Sequence, residues 1–457
     1  MRTHVQNNFG TGKIWKTIML QALPLTLAQL VQLLYSVVDR IYIGHLSDVG
    51  NLALTGIGLT FPVTTIIAAC TNLFGSGGIP LFSMARGAKR EEKAEQIMGN
   101  AFTLLVFCGL LLTIFCYLFR RPILFAFGAG EASYAYADQY LQIYLLGTVC
   151  SMVTTGMNGF INAQGFPRTG MFTTLIGAIL NLILDPILIF GLQMGVRGAA
   201  LATVISQLVS ALWVLRFLTG KASAIRLTKS SMRLRSAHVK GITGYGMAGF
   251  IVQFTNAAVQ IVCNATLQGC GGDLYVGIMT IINSIREIAN LPIHGITSGA
   301  QPVLSYNYGA GDHGRVKSGI RVSALMGIVY TVFFWLLVLM LPGPMIGLFT
   351  SDDTVLTYGI PALHIYFFGF CFMALQFIGQ STFQALGHVR KSIFFSLLRK
   401  AIIVVPLTVL LPRLGFGVNG VFLAEPISNV VGGSLSFLTM YVTVYRKLGR
   451  GGKVKNQ

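Results

Sequence analysis

An internal repeat constrains this chain more than any other feature. Gly165, Arg168, Phe172, Leu175, Leu188, Gly195, Val196, Gly198, Ala202 and Ser206 recur as Gly387, Arg390, Phe394, Leu397, Leu410, Gly417, Val418, Gly420, Ala424 and Ser428, each 222 residues later. The same register pairs Ser76, Gly77, Pro80, Ser83, Gly87 and Ala88 with Ser298, Gly299, Pro302, Ser305, Gly309 and Ala310. A register kept this long marks two homologous halves, so one set of elements must be built twice. The halves are expected at 1–219 and 241–457, joined by a basic linker at 220–240 that carries Lys221, Arg226, Lys229, Arg233, Arg235 and Lys240. The informative positions are those where the halves differ. Asp185 stands opposite Leu407, and Thr203 stands opposite Glu425.

What each half contains follows from hydropathy. With 54% hydrophobic and 10% charged residues and a mean hydropathy of +0.70, the chain cannot be an ordinary water-soluble globule. Apolar runs long enough to cross about 30 Å of hydrocarbon as helix recur six times in each half, near 15–45, 52–85, 95–119, 133–160, 168–191 and 196–218, then 240–267, 274–307, 317–341, 355–382, 390–411 and 418–445. The expected fold is an all-α polytopic membrane protein of twelve transmembrane helices. They form two six-helix bundles related by a pseudo-two-fold axis along the membrane normal, because six spans return each half to the same starting side.

The formal net charge of +19 raises the question of nucleic acid, and its distribution answers it. Sorting Lys and Arg onto alternate sides places 24 on one side and four, Arg120, Arg121, Arg197 and Arg413, on the other. Basic loops stay in the cytoplasm, so a multi-pass protein of the cell membrane (plasma or inner) with both termini cytoplasmic is expected, and no nucleic-acid partner. The lipid bilayer is the expected surrounding, and a monomer the expected state. The seven cysteines lie mostly inside apolar runs without C-x-x-C spacing and read as buried small hydrophobes.

An ionised side chain at bilayer depth costs at least about 2.5 kcal/mol, so each one needs a reason. Asp39, Asp185, Glu287 and Glu425 are the acids inside apolar runs. Asp39, Asp185 and Thr203 lie about 10 Å below the outer surface when helix rise is counted from their helix ends. Asn181 shares a helix face with Asp185, and Pro186 frees a backbone carbonyl beside it. Together Asp39, Asn181, Asp185 and Thr203 make an oxygen-rich candidate site for a proton or a sodium ion. In the bland alternative Asp39 pairs with Arg40 and Asp185 caps a kink. Pro24 is the candidate hinge of helix one.

Polar stripes add a candidate cargo cavity. Gln29, Gln32, Ser36 and Asp39 line one face of helix one, where Tyr35 also lies, and Gln253, Asn256, Gln260 and Asn264 line helix seven. Such stripes also serve to join neighbouring helices. Gln32, Tyr35, Gln253, Asn256, Gln260, Glu287 and Glu425 are taken as the cavity set. Glu287 and Glu425 either attract a cationic cargo or are neutralised by Arg286, Arg399 or Lys400.

No phosphate-binding G-x-x-x-x-G-K-[ST] loop, G-x-S-x-G elbow or H-E-x-x-H helix is present. Direct use of ATP and enzymatic catalysis are therefore not expected. No cofactor is expected beyond H⁺ or Na⁺ as coupling ion.

These residues carry a resemblance. Twelve helices in two halves, Pro24 followed by Asp39, the set Asn181, Asp185 and Thr203, and the segments Pro80 to Gly87 and Asn162 to Arg168 resemble the multidrug and toxic compound extrusion (MATE) transporters. The resemblance covers about residues 14 to 445. It implies that the aspartates of the N-terminal lobe bind Na⁺ or H⁺ from outside, that helix one bends at its proline, and that cationic amphipathic compounds leave in exchange. Members with a second cation site carry acids within helices seven and ten. This chain has none within either expected span, so that site is expected to be missing. The expected function is a secondary antiporter for small organic cations. The runner-up is a flippase for a lipid-linked oligosaccharide or cell-wall precursor, which needs a basic cavity, and a third reading is an intramembrane lipid enzyme.

Overall fold

The computed structural model describes residues 6–44 and 50–449 and is helical almost throughout, with no strand among the described residues. Both chain ends, with Arg2, Arg450, Lys453 and Lys455, lie outside the described residues. So does the side chain of Arg40.

Twelve long helical segments are present among the described residues. In the first half they are α1 (Ile14–Gly44), α2 (Gly50–Thr71, running through a π turn into Gly77–Gly87), α3 (Glu91–Leu118), α4 (Glu131–Leu146 and Thr148–Ala163), α5 (Pro167–Pro186, ending in the π turn Ile187–Gly191) and α6 (Gly195–Thr219). Ser236–Gly309 is one continuous helical run divided at Gly272, whose φ of 69° and ψ of −166° no helix accommodates. The pieces are α7 (236–271) and α8 (273–309). They are followed by α9 (His313–Met340), α10 (Asp353–Phe367 and Phe370–Ala385, bent by 43°), α11 (from Val389–Leu397 to Pro412–Phe416) and α12 (from Gly417–Ser428 to Tyr441–Tyr445). The chain is thus an all-α polytopic membrane protein, as hydropathy requires. One boundary bears on the expected absence of a second cation site. α10 starts at Asp353 rather than near 355, because Asp352 accepts from the Thr354 amide at 2.8 Å and caps it. The acid so added, Asp353, is exposed at the helix end.

The chain separates into two compact units. One holds Leu27–Phe250 with the residues up to Asn8, and the other holds Phe9–Thr26 with the residues from Ile251 onward. α1 therefore passes from one unit to the other between Thr26 and Leu27, two residues beyond Pro24. The linker at 220–240 is tied down by buried amides. Gln164 binds Ser223 and both backbone groups of Ile225 at 3.0 to 3.2 Å. Asn100 donates to the carbonyls of Ser231 and Arg233 and accepts from the Arg235 amide. Such saturation of a loop's backbone docks it on the first unit.

The repeat is visible in backbone detail. Gly165 and Gly387 adopt φ of 90° and 87°, and Gly195 and Gly417 both adopt 53°, so the same left-handed turns end and begin helices in each half. Asn158 Nδ2 donates to the Gly170 carbonyl at 3.1 Å, and its repeat mate Gln380 donates to the Ser392 carbonyl at 3.5 Å. The apolar surface repeats too. Phe107, Leu111, Ile114 and Leu118 of α3 and their mates Val329, Phe333, Leu336 and Met340 of α9 are all exposed, at helical spacing. Contiguous bare apolar faces of this kind belong against lipid.

Candidate functional site

In the N-terminal unit, helix packing assembles most of the expected cation site. Ile43, one turn past Asp39, packs with Tyr140 of α4, Ile189 of the π turn and Val196 of α6. This holds the C-terminal end of α1 against α4, α5 and α6. Asp185 is 1% exposed and accepts from Asn181 Nδ2 at 3.3 Å, one turn earlier on α5. Asp39 lies within electrostatic range of Asp185, Tyr140 and Tyr35. Thr203 donates to the Ala199 carbonyl at 3.0 Å, and its hydroxyl lies close to that of Tyr140. Pro186 leaves the ladder short of a donor, and the chain continues as the π turn Ile187–Gly191, closed by Leu192 N donating to the Ile187 carbonyl at 2.8 Å.

Tyr140 and Tyr144, stacked with ring centroids 5.7 Å apart, belong to this site and were not singled out from the sequence. A signal existed, since Tyr140 faces Ala362 across the repeat. Two carboxylates drawn together beside amide and hydroxyl oxygens repel each other unless a cation or proton joins them, which is the chemistry such a site offers.

The expected cavity set divides between the units. Gln32 and Tyr35 lie on α1 in the N-terminal unit; Gln32 is exposed and Tyr35 half-buried. Pro24, buried within α1, lies in the other unit. Gln253 is half-buried and Asn256 and Glu287 are exposed, and all three stand apart from the internal cavity of the C-terminal unit. Gln260 and Glu425 line that cavity together with Asn283, Arg286 and Tyr366. Gln260 accepts from Asn283 at 3.3 Å and donates to Asn264 at 3.2 Å.

Around this cavity the charges are mostly positive. Glu425 on α12 accepts from Arg399 Nη1 at 3.1 Å and from Lys400 Nζ at 3.0 and 3.2 Å, both on α11. Arg399 also donates to Asn429 at 2.6 Å, and Arg286 of α8 donates to the Tyr366 hydroxyl at 2.8 Å. Arg399, Lys400 and Glu425 are each 9% exposed or less. Ionic groups this deep cost several kcal/mol each to desolvate, so the carboxylate is held where two cations neutralise it. Among the described residues no three His, Cys, Asp or Glu side chains converge as a metal site.

Comparison with known proteins agrees with this architecture. The MatE family profile matches residues 24–187 and 249–410, one stretch in each half. The chain is similar to the multidrug export protein MepA of Staphylococcus aureus (strain N315), 26% identical over 438 residues that cover 96% of this chain and 95% of that protein. It resembles the solved outward-facing conformation of a multidrug resistance MATE family transporter of the MOP superfamily, with a TM-score of 0.91 at 22% identity over 99% of this chain and 100% of that one. A MATE in the straight conformation matches with a TM-score of 0.91 at 22% identity, covering 98% of this chain and 100% of that chain. With matched segments making up most of its length and one in each half, the chain belongs to the MATE family of membrane transporters.

Proposed function

We propose that this protein exports small cationic, amphipathic compounds across the cell membrane in exchange for H⁺ or Na⁺. The observation that carries the reading is the convergence of Asp39 with the buried Asp185, beside Asn181 and Thr203 in the N-terminal unit. A cation or proton bound there relieves the repulsion between the carboxylates. It drives transport if it favours one arrangement of α1 over another, since a ligand shifts an equilibrium only through its differential affinity. Pro24 is the hinge in this scheme. The ladder is already weakened there, where Thr26 Oγ1 bonds the Ala22 carbonyl at 3.0 Å, next to the point where α1 changes unit. Gln32 and Tyr35 on α1 and Gln253 and Asn256 on α7 are the polar contacts proposed for cargo. The export activity named for the MepA relatives supports the same direction.

The flippase reading gains little. Arg286, the basic residue that lines the cavity of the C-terminal unit, faces a space of only about 20 Å³, room for a water-sized group and not for a pyrophosphate. The deciding experiment is ethidium efflux from proteoliposomes under separately imposed proton and sodium gradients. Efflux under one of them, lost without either, is expected. Efflux indifferent to both rejects antiport.

A further inference from the structure

The two halves place opposite charge at equivalent positions. Thr203, Gln207 and Tyr144 of the N-terminal unit correspond by the 222-residue offset to Glu425, Asn429 and Tyr366 of the C-terminal unit. In the first half these positions lie in the unit that holds Asp39 and Asp185. In the second, Leu407 replaces Asp185, while Arg399, Lys400 and Arg286 stand where the first half has Gly177, Ala178 and Thr64. Duplication has thus produced an acidic site in one unit and a basic one in the other.

The basic site is not closed on itself. Its one lining carboxylate, Glu425, is engaged by Arg399 and Lys400. That leaves Arg286 with the neutral Tyr366 hydroxyl as its hydrogen-bonding partner through Nη1, while its Nε is buried with no hydrogen-bond partner among the described residues. Glu287 is within electrostatic range of Arg286 but is exposed and outside the cavity lining. Arg286, Tyr366, Asn283 and Gln260 all face the cavity, and they supply N–H and O–H donors to a space of about 20 Å³. Two buried cations and the half-buried Arg286 against one carboxylate, an unused guanidinium donor and a space of atomic size are the makings of an anion site.

We propose that this cavity binds a small monovalent anion through Arg286. A free halide and the carboxylate of a zwitterionic cargo present the same chemistry to it. Binding needs neither a gradient nor the aspartate site, so it stands or falls separately from antiport.

The test is equilibrium binding of radiolabelled chloride to the purified full-length protein, in detergent with sulfate as the only other anion. Saturable binding is expected, displaced by bromide and formate. It should weaken by at least about ten-fold in Arg286→Gln, since a charge-assisted donor is lost, and persist in the exposed control Arg413→Gln. A rhodamine with a free carboxylate and its methyl ester distinguish the sources. Displacement by the acid alone assigns the site to a cargo carboxylate, and displacement by neither assigns it to the free ion. Absence of saturable chloride binding in the unmodified protein overturns the proposal, however the variants fold. Undiminished binding in a folded Arg286→Gln overturns it as well.

Discussion

Lys400 donates to both carboxylate oxygens of Glu425, at 3.0 and 3.2 Å, at a place where the first half carries Ala178 and Thr203. An uncharged pair has become an ionic one inside the membrane-spanning part of the fold. Arg399 completes the neutralisation from the next position on α11.

Breaking this cluster should be costly. Glu425→Gln leaves the two buried cations Arg399 and Lys400 without their carboxylate, and a loss of about 3 to 5 kcal/mol is expected, read as a lower thermal midpoint in detergent. The half-exposed pair Arg120 with Asp138, 2.7 Å apart, is the comparison; Asp138→Asn should cost about 1 kcal/mol or less. Equal losses would show that burial does not set the cost.

Asp39→Asn and Asp185→Asn should each abolish gradient-driven dye efflux while leaving dye affinity within about three-fold, because the proposed cargo contacts are other side chains. Efflux rates in proteoliposomes and equilibrium dye binding separate the two effects. Full efflux with either aspartate replaced would end the ion-site reading.

Pro24→Ala restores a backbone donor in the middle of α1 and should stiffen it. A turnover several-fold slower at saturating dye is expected, with dye affinity little changed. Unaltered turnover would remove the hinge from Pro24.

Lys229 is exposed in the docked segment after α6. The 24 to four division of basic residues predicts that Lys229→Cys, in a cysteine-free background, reacts with an impermeant maleimide only from the cytoplasmic side. Labelling from outside intact cells would reverse the orientation.

Gly417 adopts φ of 53° with open space where a Cβ would project. With ψ of −141° this backbone lies outside the left-handed helical well, so Gly417→Ala should cost about 2 to 3 kcal/mol, the conformational penalty alone, measured by thermal unfolding. A cost near zero would show that the turn relaxes.

Much of this protein is written locally. Twelve apolar segments follow from runs that must satisfy their own backbone in lipid, and the duplication follows from one constant offset, so both survive without tertiary information. Asn181 and Asp185 are one helical turn apart on α5, and their contact is equally local.

Other features depend on which helices touch. Tyr140 differs from its repeat mate Ala362, but that difference names no partner, and only the packing of α1 on α4 through Ile43 brings it beside Asp39. Arg286 and Glu425 are far apart in sequence, and the alternatives for Glu425, cargo contact or buried pair, were equally consistent with a linear reading. Packing of α11 against α12 brings Lys400 to Glu425 and leaves Arg286 facing the cavity with Tyr366. The basic run at 220–240 is legible as a linker from its charges, whereas the buried amides of Gln164 and Asn100 that hold it are not. The spans, their duplication and the charges that must be accounted for inside them rest on local hydropathy and spacing, and so are readable along the chain. Which charge meets which partner was decided by tertiary structure alone, because Coulomb and hydrogen-bond energies depend on distances that a linear chain does not contain.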